Sequence, residues 1–235
     1  MARASGRTLG ILGGMGPLAS AELLHTLYRL NITEPEQEAP ACLLLSDPSI
    51  PDRTAAILAG DTRELVARIT SALAQLAAAG AERIVIACVT AHAVLAEVPE
   101  PERRRVIPLL DLAIDEVRAS GRPHLLLATQ GTRTARIFER HPRWGEVERL
   151  VTWPDEADQR RVHATVYRFK HAEPDPESLA WIERLPAKYG AEALIFGCTE
   201  LHLLHRPLAR RPPGMPTLRI VDPLWIAARD LKKLL

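Results

Sequence analysis

The chain has 235 residues, 47% of them hydrophobic and 25% charged, with a formal net charge of +1 at pH 7. Such a chain can form one substantial core or two lobes of about 100 residues each. Because the charges are scattered and nearly balanced, we expect neither nucleic acid nor an anionic membrane as a partner. No apolar stretch reaches the ~18 residues of a transmembrane helix and the start lacks a signal-peptide pattern, so we expect a cytoplasmic protein.

The first half of the chain alternates short apolar runs with amphipathic segments. LGILGG (9–14) predicts a strand and a turn, and the leucines of 18–27 follow at helical spacing. ACLLLSDPSIP (41–51) predicts a strand that runs into a proline-rich loop, 62–79 predicts a helix, and IVIAC (84–88) predicts another strand. This alternation indicates parallel βαβ units.

The second half repeats this pattern. HLLLAT (124–129) and ALIFGC (193–198) predict strands, and GAERIVIACVTAH (80–92) returns as GAEALIFGCTELH (190–202) at a constant offset of 110 residues. We therefore predict an α/β protein of two similar lobes, related by a pseudo-twofold axis, with parallel sheets flanked by helices and an active site in the cleft between them. Residues 1–106 plus 216–235 are assigned to lobe 1, and 107–215 to lobe 2.

Each copy of the repeat ends its apolar run in a cysteine. Cys88 and Cys198 are expected at the carboxyl ends of parallel strands, where ligands gather, and the start of the next helix favours a thiolate there. Two thiols in one cleft suit two-base proton exchange at carbon. Two alternatives stay open: each cysteine is a small buried hydrophobe, or His92 and His202 complete a Cys2His2 zinc site. The third cysteine, Cys42, is interpreted as a buried hydrophobe.

Six motifs occur in order along nearly the whole chain: GILGGMGPLAS (10–20), SDPSIPDRT (46–54), ACVTAH (87–92), ATQGT (128–132), VYRFK (166–170) and FGCTEL (196–201). Together they resemble the cofactor-independent aspartate/glutamate racemases, most closely the aspartate racemase branch. The resemblance implies a two-lobed enzyme without pyridoxal phosphate or metal that acts on a small molecule, commonly as a homodimer. It implies that Cys88 and Cys198 exchange the α-proton of the substrate.

The same resemblance implies roles for the residues around the thiols. Arg53 and Lys170 match positions that hold substrate carboxylates, and a forked guanidinium and an ammonium suit that task. The remaining positions line the site or surround the thiols: Met15, Gly16, Thr90, Thr132, Thr199 and Glu200.

One position departs from the family pattern. The family reads Cys-Asn-Thr at the first thiol, whereas this chain reads Cys88-Val89-Thr90. If position 89 contacts the substrate, valine forfeits a buried hydrogen bond worth about 1 to 3 kcal/mol, and Val89→Asn is expected to raise activity on aspartate.

Three functions therefore stay open. The first is an amino-acid racemase or epimerase, most simply of aspartate or a related acidic amino acid. The second is an enzyme of the same fold with different chemistry, such as an isomerase, a decarboxylase or an amide-forming enzyme of specialised metabolism, because a thiolate also adds to carbonyls and activated alkenes. The third is a ligand-binding protein without turnover.

Overall fold

Two parallel sheets form the centre of the protein. The computed structural model describes residues 7–32, 34–209 and 218–235. The first sheet contains β1 (Leu9–Gly13), β2 (Cys42–Ser46) and β3 (Arg83–Ile86) in the order β2-β1-β3. The second contains β4 (His124–Leu127), β5 (Val151–Thr152), β6 (Ala193–Phe196) and β7 (Arg219–Val221) in the order β5-β4-β6-β7. All of these strand pairs are parallel, as the alternating pattern predicts.

Helices connect the strands and cover both sheets. In chain order they are α1 (Pro17–Asn31), α2 (Arg53–Ala59), α3 (Arg63–Ala78), α4 (Glu100–Arg103), α5 (Leu109–Ser120), α6 (Gln130–Thr134), α7 (Glu156–Phe169), α8 (Pro176–Lys188), α9 (His202–Ala209), α10 (Pro223–Arg229) and α11 (Leu231–Leu234). Short 3-10 helices follow each thiol, at Thr90–Glu97 and Thr199–Leu201. No helix in the described ranges is both long and apolar enough to span a membrane.

The strands read as continuous apolar runs because both faces of each sheet are covered. β1, β4 and β6 are buried along their whole length. One core cluster joins the two sheets, since it contains Ile11 and Val85 of the first sheet together with Leu126 and Ile195 of the second. The two lobes therefore share a packed interior, and that contact fixes the position of one thiol-bearing strand relative to the other.

The internal repeat is visible in the strand pairing. β3 and β6 occupy equivalent positions in the two copies, and each gains a parallel neighbour on its outer side: Val106 bridges to Ile84, and β7 pairs with β6 through Ile220 and Leu194. A helix follows in each case, α5 in the first copy and α10 in the second. The duplication thus extends beyond the thiols, as the sequence indicates.

The carboxyl-terminal segment is divided between the lobes. β7 hydrogen-bonds to β6, so the backbone of this strand belongs to the second sheet rather than to lobe 1. α10 contacts α1 beside the first sheet and also contacts α5. We infer that the lobe boundary falls after β7 and not at residue 216. Residue 216 and the loop expected at 211–214 lie outside the described residues.

Candidate active site

Cys88 and Cys198 line one inner cavity between the lobes. Each lies two residues after the end of its strand, and the two residues are 5% and 4% exposed. The cavity is lined by Met15, Asp52, Arg53, Thr54, Cys88, Thr90, Thr129, Tyr167, Lys170, Cys198 and Glu200. Its volume of about 10 Å3 is at the lower limit of the space that one water molecule needs. The described conformation is therefore a closed one.

A wider vestibule of about 340 Å3 adjoins this cavity, and both share Met15, Arg53 and Lys170 in their walls. Arg53 donates a hydrogen bond from Nη2 to the Met15 carbonyl at 2.7 Å, and Lys170 approaches the same oxygen with Nζ at 3.4 Å. The two cations therefore meet at one backbone carbonyl between the vestibule and the thiols. The Met15 carbonyl thus holds both cations at the wall that the cavity and the vestibule share.

The glycine-rich loop after β1 allows the close approach of its neighbours. Gly14 has φ +89°, and a Cβ atom there would lie 2.3 Å from the backbone of Asp47. At Gly16, a Cβ would lie 3.0 Å from Oε1 of Glu200. Pro17 then begins α1, where its fixed φ suits the first helical position. The loop thus brings the Met15 carbonyl to the mouth of the cavity and leaves space for Glu200.

Cys198 lies next to a buried carboxylate. Its Sγ is 2.8 Å from Oε2 of Glu200, and Oε1 of the same carboxylate is 3.1 Å from Nζ of Lys170. Burial and the negative charge of Glu200 raise the pKa of Cys198 well above its usual value. Cys198 is therefore a neutral thiol that donates to Glu200. The expected thiolate at this position is wrong, because burial and the carboxylate outweigh the short 3-10 helix that follows.

Arg53 lies on the side of the cavity near Cys88. Asp52 caps α2 by accepting from the backbone N–H of Ala55, which places Arg53 in the first turn, where it is 6% exposed. Burial lowers the pKa of Arg53, but the charge of Cys88 and Asp52 and a hydrogen bond with Cys88 raise it overall. Its Nε has no partner among the described residues. Arg53 thus offers positive charge to Cys88 and keeps one buried donor free.

Lys170 reaches the cavity from the carboxyl-terminal cap of α7. Burial lowers its pKa, but the charge of Glu200 raises it overall, so the ammonium stays charged. Nζ also lies 5.0 Å from the ring centre of Tyr167. The residue therefore contacts Glu200 and Tyr167 within the second lobe, and it reaches the loop after β1 through the Met15 carbonyl.

Three threonine hydroxyls lie behind Cys88. Thr90 is 2.9 Å from Thr132 and 3.2 Å from Thr129, and Thr129 also caps α6 by accepting from the N–H of Thr132. Thr90 and Thr129 line the cavity, whereas Thr132 supports them from outside it. Thr199 likewise does not line the cavity: its hydroxyl donates to the Ala87 carbonyl of the other lobe at 3.0 Å.

Val89 lies away from the cavity. It is 1% exposed and belongs to the core cluster that joins the two sheets, and it does not line the cavity or the vestibule. Its counterpart in the second copy is Thr199, whose hydroxyl donates to the Ala87 carbonyl of the other lobe and lies 3.4 Å from Oε2 of Glu200. The side chain at this position therefore packs between the lobes in both halves of the molecule.

Sequence reasoning missed four residues of the cavity wall: Asp52, Thr54, Thr129 and Tyr167. The Tyr167 hydroxyl donates to the Asp52 carboxylate at 2.9 Å and so connects α7 to the start of α2. A signal was available, because all four residues lie inside the motifs 46–54, 128–132 and 166–170. The hydrogen bond between Tyr167 and Asp52 could not be inferred from the sequence, since 115 residues separate the two positions.

The two histidines of the repeat do not join the thiols. Nδ1 of His92 is 3.0 Å from the Cys88 carbonyl oxygen, and Nδ1 of His202 is 2.6 Å from Oδ2 of Asp222. Across the described residues, no group of three or more His, Cys, Asp and Glu side chains is arranged to hold a metal ion. The Cys2His2 alternative therefore has no geometric support. Cys42, the third cysteine, is half-buried.

Comparison with known proteins gives a consistent result. A family model described as Asp/Glu/Hydantoin racemase matches residues 12–231. The structure is similar to the Picrophilus torridus aspartate racemase, with a TM-score of 0.78 and 24% identity over 97% of this chain and 94% of that one.

Two further solved structures have the same fold. For an aspartate racemase homologue from Pyrococcus horikoshii OT3, the TM-score is 0.68 and the identity 23%, over 97% of this chain and 98% of that one. For the allantoin racemase from Klebsiella pneumoniae, the TM-score is 0.56 and the identity 16%, over 97% of this chain and 87% of that one. The predicted two-sheet α/β fold is thereby confirmed.

Proposed function

The chain belongs to the Asp/Glu/hydantoin racemase family, and from this premise we propose that it racemises an acidic amino acid with Cys88 and Cys198 as base and acid. The observation that carries the proposal is the meeting of two buried cysteines, one from each copy of the repeat, in a single cavity that also contains two cations. No pyridoxal phosphate or metal is part of the proposal.

The cations supply the binding energy for an acidic substrate. The unpartnered Nε of Arg53 and the Nη2 now bonded to Met15 form a fork suited to one carboxylate. Lys170 supplies a second positive charge on the other lobe. Charge-assisted hydrogen bonds of this kind also stabilise the negative charge that develops when a proton leaves Cα.

The surroundings of the two thiols support different resting roles for them. Arg53 places its positive charge on the Cys88 side of the cavity, so we assign Cys88 as the base. Cys198 donates its proton to Glu200 at 2.8 Å, which favours the neutral thiol. In the proposed step the Cys88 thiolate takes the α-proton, the electron pair delocalises into the substrate carboxylate, and the Cys198 thiol delivers a proton to the opposite face.

After this step Cys88 is a thiol and Cys198 is a thiolate beside the Glu200 carboxylate. That state is electrostatically unfavourable because two negative charges face each other in a buried site. The protons must exchange, with solvent or by the reverse reaction, before another turnover in the same direction. Glu200 therefore determines which of the two thiols carries the proton before a turnover begins. Lys170, 3.1 Å from Glu200, moderates the repulsion between the two negative charges.

Solvent-proton exchange tests the chemistry. In heavy water, aspartate or glutamate is expected to gain deuterium at Cα and to racemise, and Cys88→Ser and Cys198→Ser should each reduce racemisation by at least a hundredfold. Cys42→Ser is the matched control, because Cys42 lies on β2 outside the cavity. Absence of exchange with every acidic amino acid, or full activity in either cavity variant, would overturn the proposal.

Alkylation tests the assignment of base and acid separately. With iodoacetamide at pH 7, peptide mass spectrometry is expected to show Cys88 modified faster than Cys198. Glu200→Gln removes the repelling charge and should speed the modification of Cys198, while leaving Cys42 unchanged. Faster modification of Cys198 than of Cys88 in the unsubstituted protein contradicts the assignment but leaves the two-cysteine proposal intact.

We further propose a cytoplasmic homodimer, following the family resemblance. Sedimentation equilibrium should give twice the chain mass of 25.9 kDa. A chain that is monomeric at micromolar concentration and has full racemase activity would contradict the dimer proposal but not the proposed chemistry.

A further inference from the structure

The face of α7 that carries Tyr167 also carries two residues with no place yet in the site. His163 and Gln159 precede Tyr167 by one and two turns, so the three side chains follow one another at intervals of four residues. Gln159 is buried and His163 is half-buried. Neither residue lines the cavity or the vestibule, so any effect on the chemistry has to act through a neighbour.

These two side chains hold both ends of the turn between β4 and α6. Nε2 of Gln159 donates to the Ala128 carbonyl at 2.9 Å. Nδ1 of His163 accepts from the backbone N–H of Gln130 at 3.2 Å. Thr129 lies between the two anchored peptide groups, and it lines the cavity that contains the thiols. The position of this threonine is therefore set from α7.

The contact with Gln130 defines which nitrogen of His163 carries the proton. The N–H of Gln130 is the first in α6 and has no partner within that helix, so it needs an acceptor elsewhere. An imidazole nitrogen accepts only when it carries no proton, so the neutral ring holds its proton on Nε2. Protonation of Nδ1 would place two N–H groups 3.2 Å apart and remove the hydrogen bond.

The same ring also supports a second wall of the cavity. It packs against the ring of Tyr167 with the centres 4.4 Å apart and the planes at 49°. The Tyr167 hydroxyl in turn donates to Asp52 at the start of α2. From outside the cavity, His163 thus supports two residues that line it: Thr129 through the turn, and Tyr167 through the ring.

We propose that His163 is a positioning residue for the thiol cavity, whose unprotonated Nδ1 holds the turn that carries Thr129. The Thr129 hydroxyl is 3.2 Å from that of Thr90, two residues after Cys88. Release of the turn therefore loosens the wall behind this thiol. The effect on turnover rests on the proposed racemisation, whereas the effect on the cavity does not.

Several polar groups surround the His163 ring. From α6 it faces the N–H of Gln130, and from its own helix it faces the Tyr167 phenol. Burial lowers the pKa of His163, the charge of Asp52 raises it, and the charge of Lys170 lowers it further. The overall shift is downward, so the ring is neutral at neutral pH and accepts from Gln130. The hydrogen bond is lost as the pH falls through a pKa below the usual value of about 6.5.

Two substitutions separate the acceptor from the ring. His163→Asn places an oxygen near the position of Nδ1 but removes the ring, and His163→Phe keeps the ring but removes the acceptor. In His163→Phe we expect kcat to fall about tenfold and KM to stay within about twofold, because Arg53 and Lys170 are not on the released turn. His163→Asn should keep most of the activity. His25→Phe is the matched control, because this exposed histidine of α1 lines neither the cavity nor the vestibule.

The pH profile is a readout that a merely structural role would not change. The ratio of kcat in the unsubstituted protein to kcat in His163→Asn should be constant above about pH 7 and should fall between about pH 6.5 and pH 5, because only the histidine loses its acceptor on protonation. Ionisations of the substrate and of the thiols cancel in this ratio. A ratio that stays flat or rises towards low pH overturns the proposal.

Alkylation of Cys88 tests the positioning without turnover. A released turn should admit iodoacetamide, so Cys88 is expected to react severalfold faster in His163→Phe than in the unsubstituted protein or in His163→Asn, with Cys42 as the internal reference. If the unsubstituted protein shows no solvent-proton exchange, the proposed racemisation fails and alkylation alone decides the role of His163. Equal Cys88 rates in His163→Phe and in the unsubstituted protein overturn the positioning role.

Discussion

Removing Lys170 is expected to destabilise the protein because it leaves a buried carboxylate without its cation. Nζ of Lys170 is 3.1 Å from Oε1 of Glu200, and the two side chains are 14% and 2% exposed. At an effective dielectric constant of ~20, charges at that separation attract by about 5 kcal/mol. We expect Lys170→Met to lower the free energy of unfolding by about 3 to 5 kcal/mol, the usual cost of breaking a buried pair.

The opposite substitution should cost less. In Glu200→Gln the remaining ammonium is nearer the vestibule and keeps its contact with the Tyr167 ring, so about 1 to 3 kcal/mol is expected. The double variant should be more stable than the sum of the two single effects predicts, by about 2 kcal/mol, because neither charge is then left alone. The assay is urea unfolding, with thermal unfolding as a check: the Lys170→Met loss corresponds to a Tm about 6 to 20 °C lower.

Lys188→Met is the control for this series. Lys188 also pairs with carboxylates, those of Asp155 and Asp158, but the lysine side chain is 52% exposed, so solvent replaces the lost contacts. Its Tm should stay close to that of the unsubstituted protein. The reasoning is refuted if Lys170→Met and Lys188→Met are equally stable, or if the effects of Lys170→Met and Glu200→Gln add within about 0.5 kcal/mol.

Three further predictions concern pH, packing and the loop after β1. Burial lowers the pKa of His202, but the charge of Asp222 at 2.6 Å raises it overall. The stability that this proton contributes is therefore complete below the unfolded pKa of about 6.5, and it is lost as the pH rises through the pKa in the folded protein. In urea titrations, the difference in free energy of unfolding between the unsubstituted protein and His202→Gln should shrink between pH 6 and pH 9. A difference that grows contradicts the reasoning. Val89→Asn should lower the free energy of unfolding by about 1 to 3 kcal/mol without raising activity on aspartate, because the amide enters the core; a gain of activity would place position 89 in the cavity. Gly16→Ala should lower kcat/KM by about tenfold, since its methyl group lies 3.0 Å from Oε1 of Glu200 and displaces that carboxylate; unchanged kinetics would show that Glu200 moves freely.

The sequence predicted the features that depend on local pattern. Apolar runs such as IVI and ALIF identified β3 and β6, and the repeat of Cys88 at Cys198 located both thiols at equivalent strand ends. These inferences succeed because burial on both faces and a duplicated chain leave direct traces in residue order. The motifs also led to Arg53 and Lys170.

What the sequence did not reveal depends on contacts between distant segments. The protonation of Cys198 follows from a carboxylate two residues away, but only the fold buries both groups and brings Lys170 beside them. Val89 stands next to a cavity residue in the chain, yet its helical backbone conformation at the start of the 3-10 helix turns the side chain into the core. The pairing of β7 with the second sheet was equally hidden, because three residues carry too little pattern to choose a sheet.

Under the proposed function, the Met15 carbonyl that both cations contact takes the place of a substrate oxygen. Nη2 of Arg53 and Nζ of Lys170 already point at one acceptor, so binding of a carboxylate is an exchange of partners rather than the filling of empty donors. The net gain in binding free energy is the difference between hydrogen bonds to a charged acceptor and hydrogen bonds to a neutral one. That difference is much smaller than the free energy of a full ionic contact. If the proposed function holds, such a site is expected to release product readily and to reject uncharged amides, which compete with the backbone on equal terms.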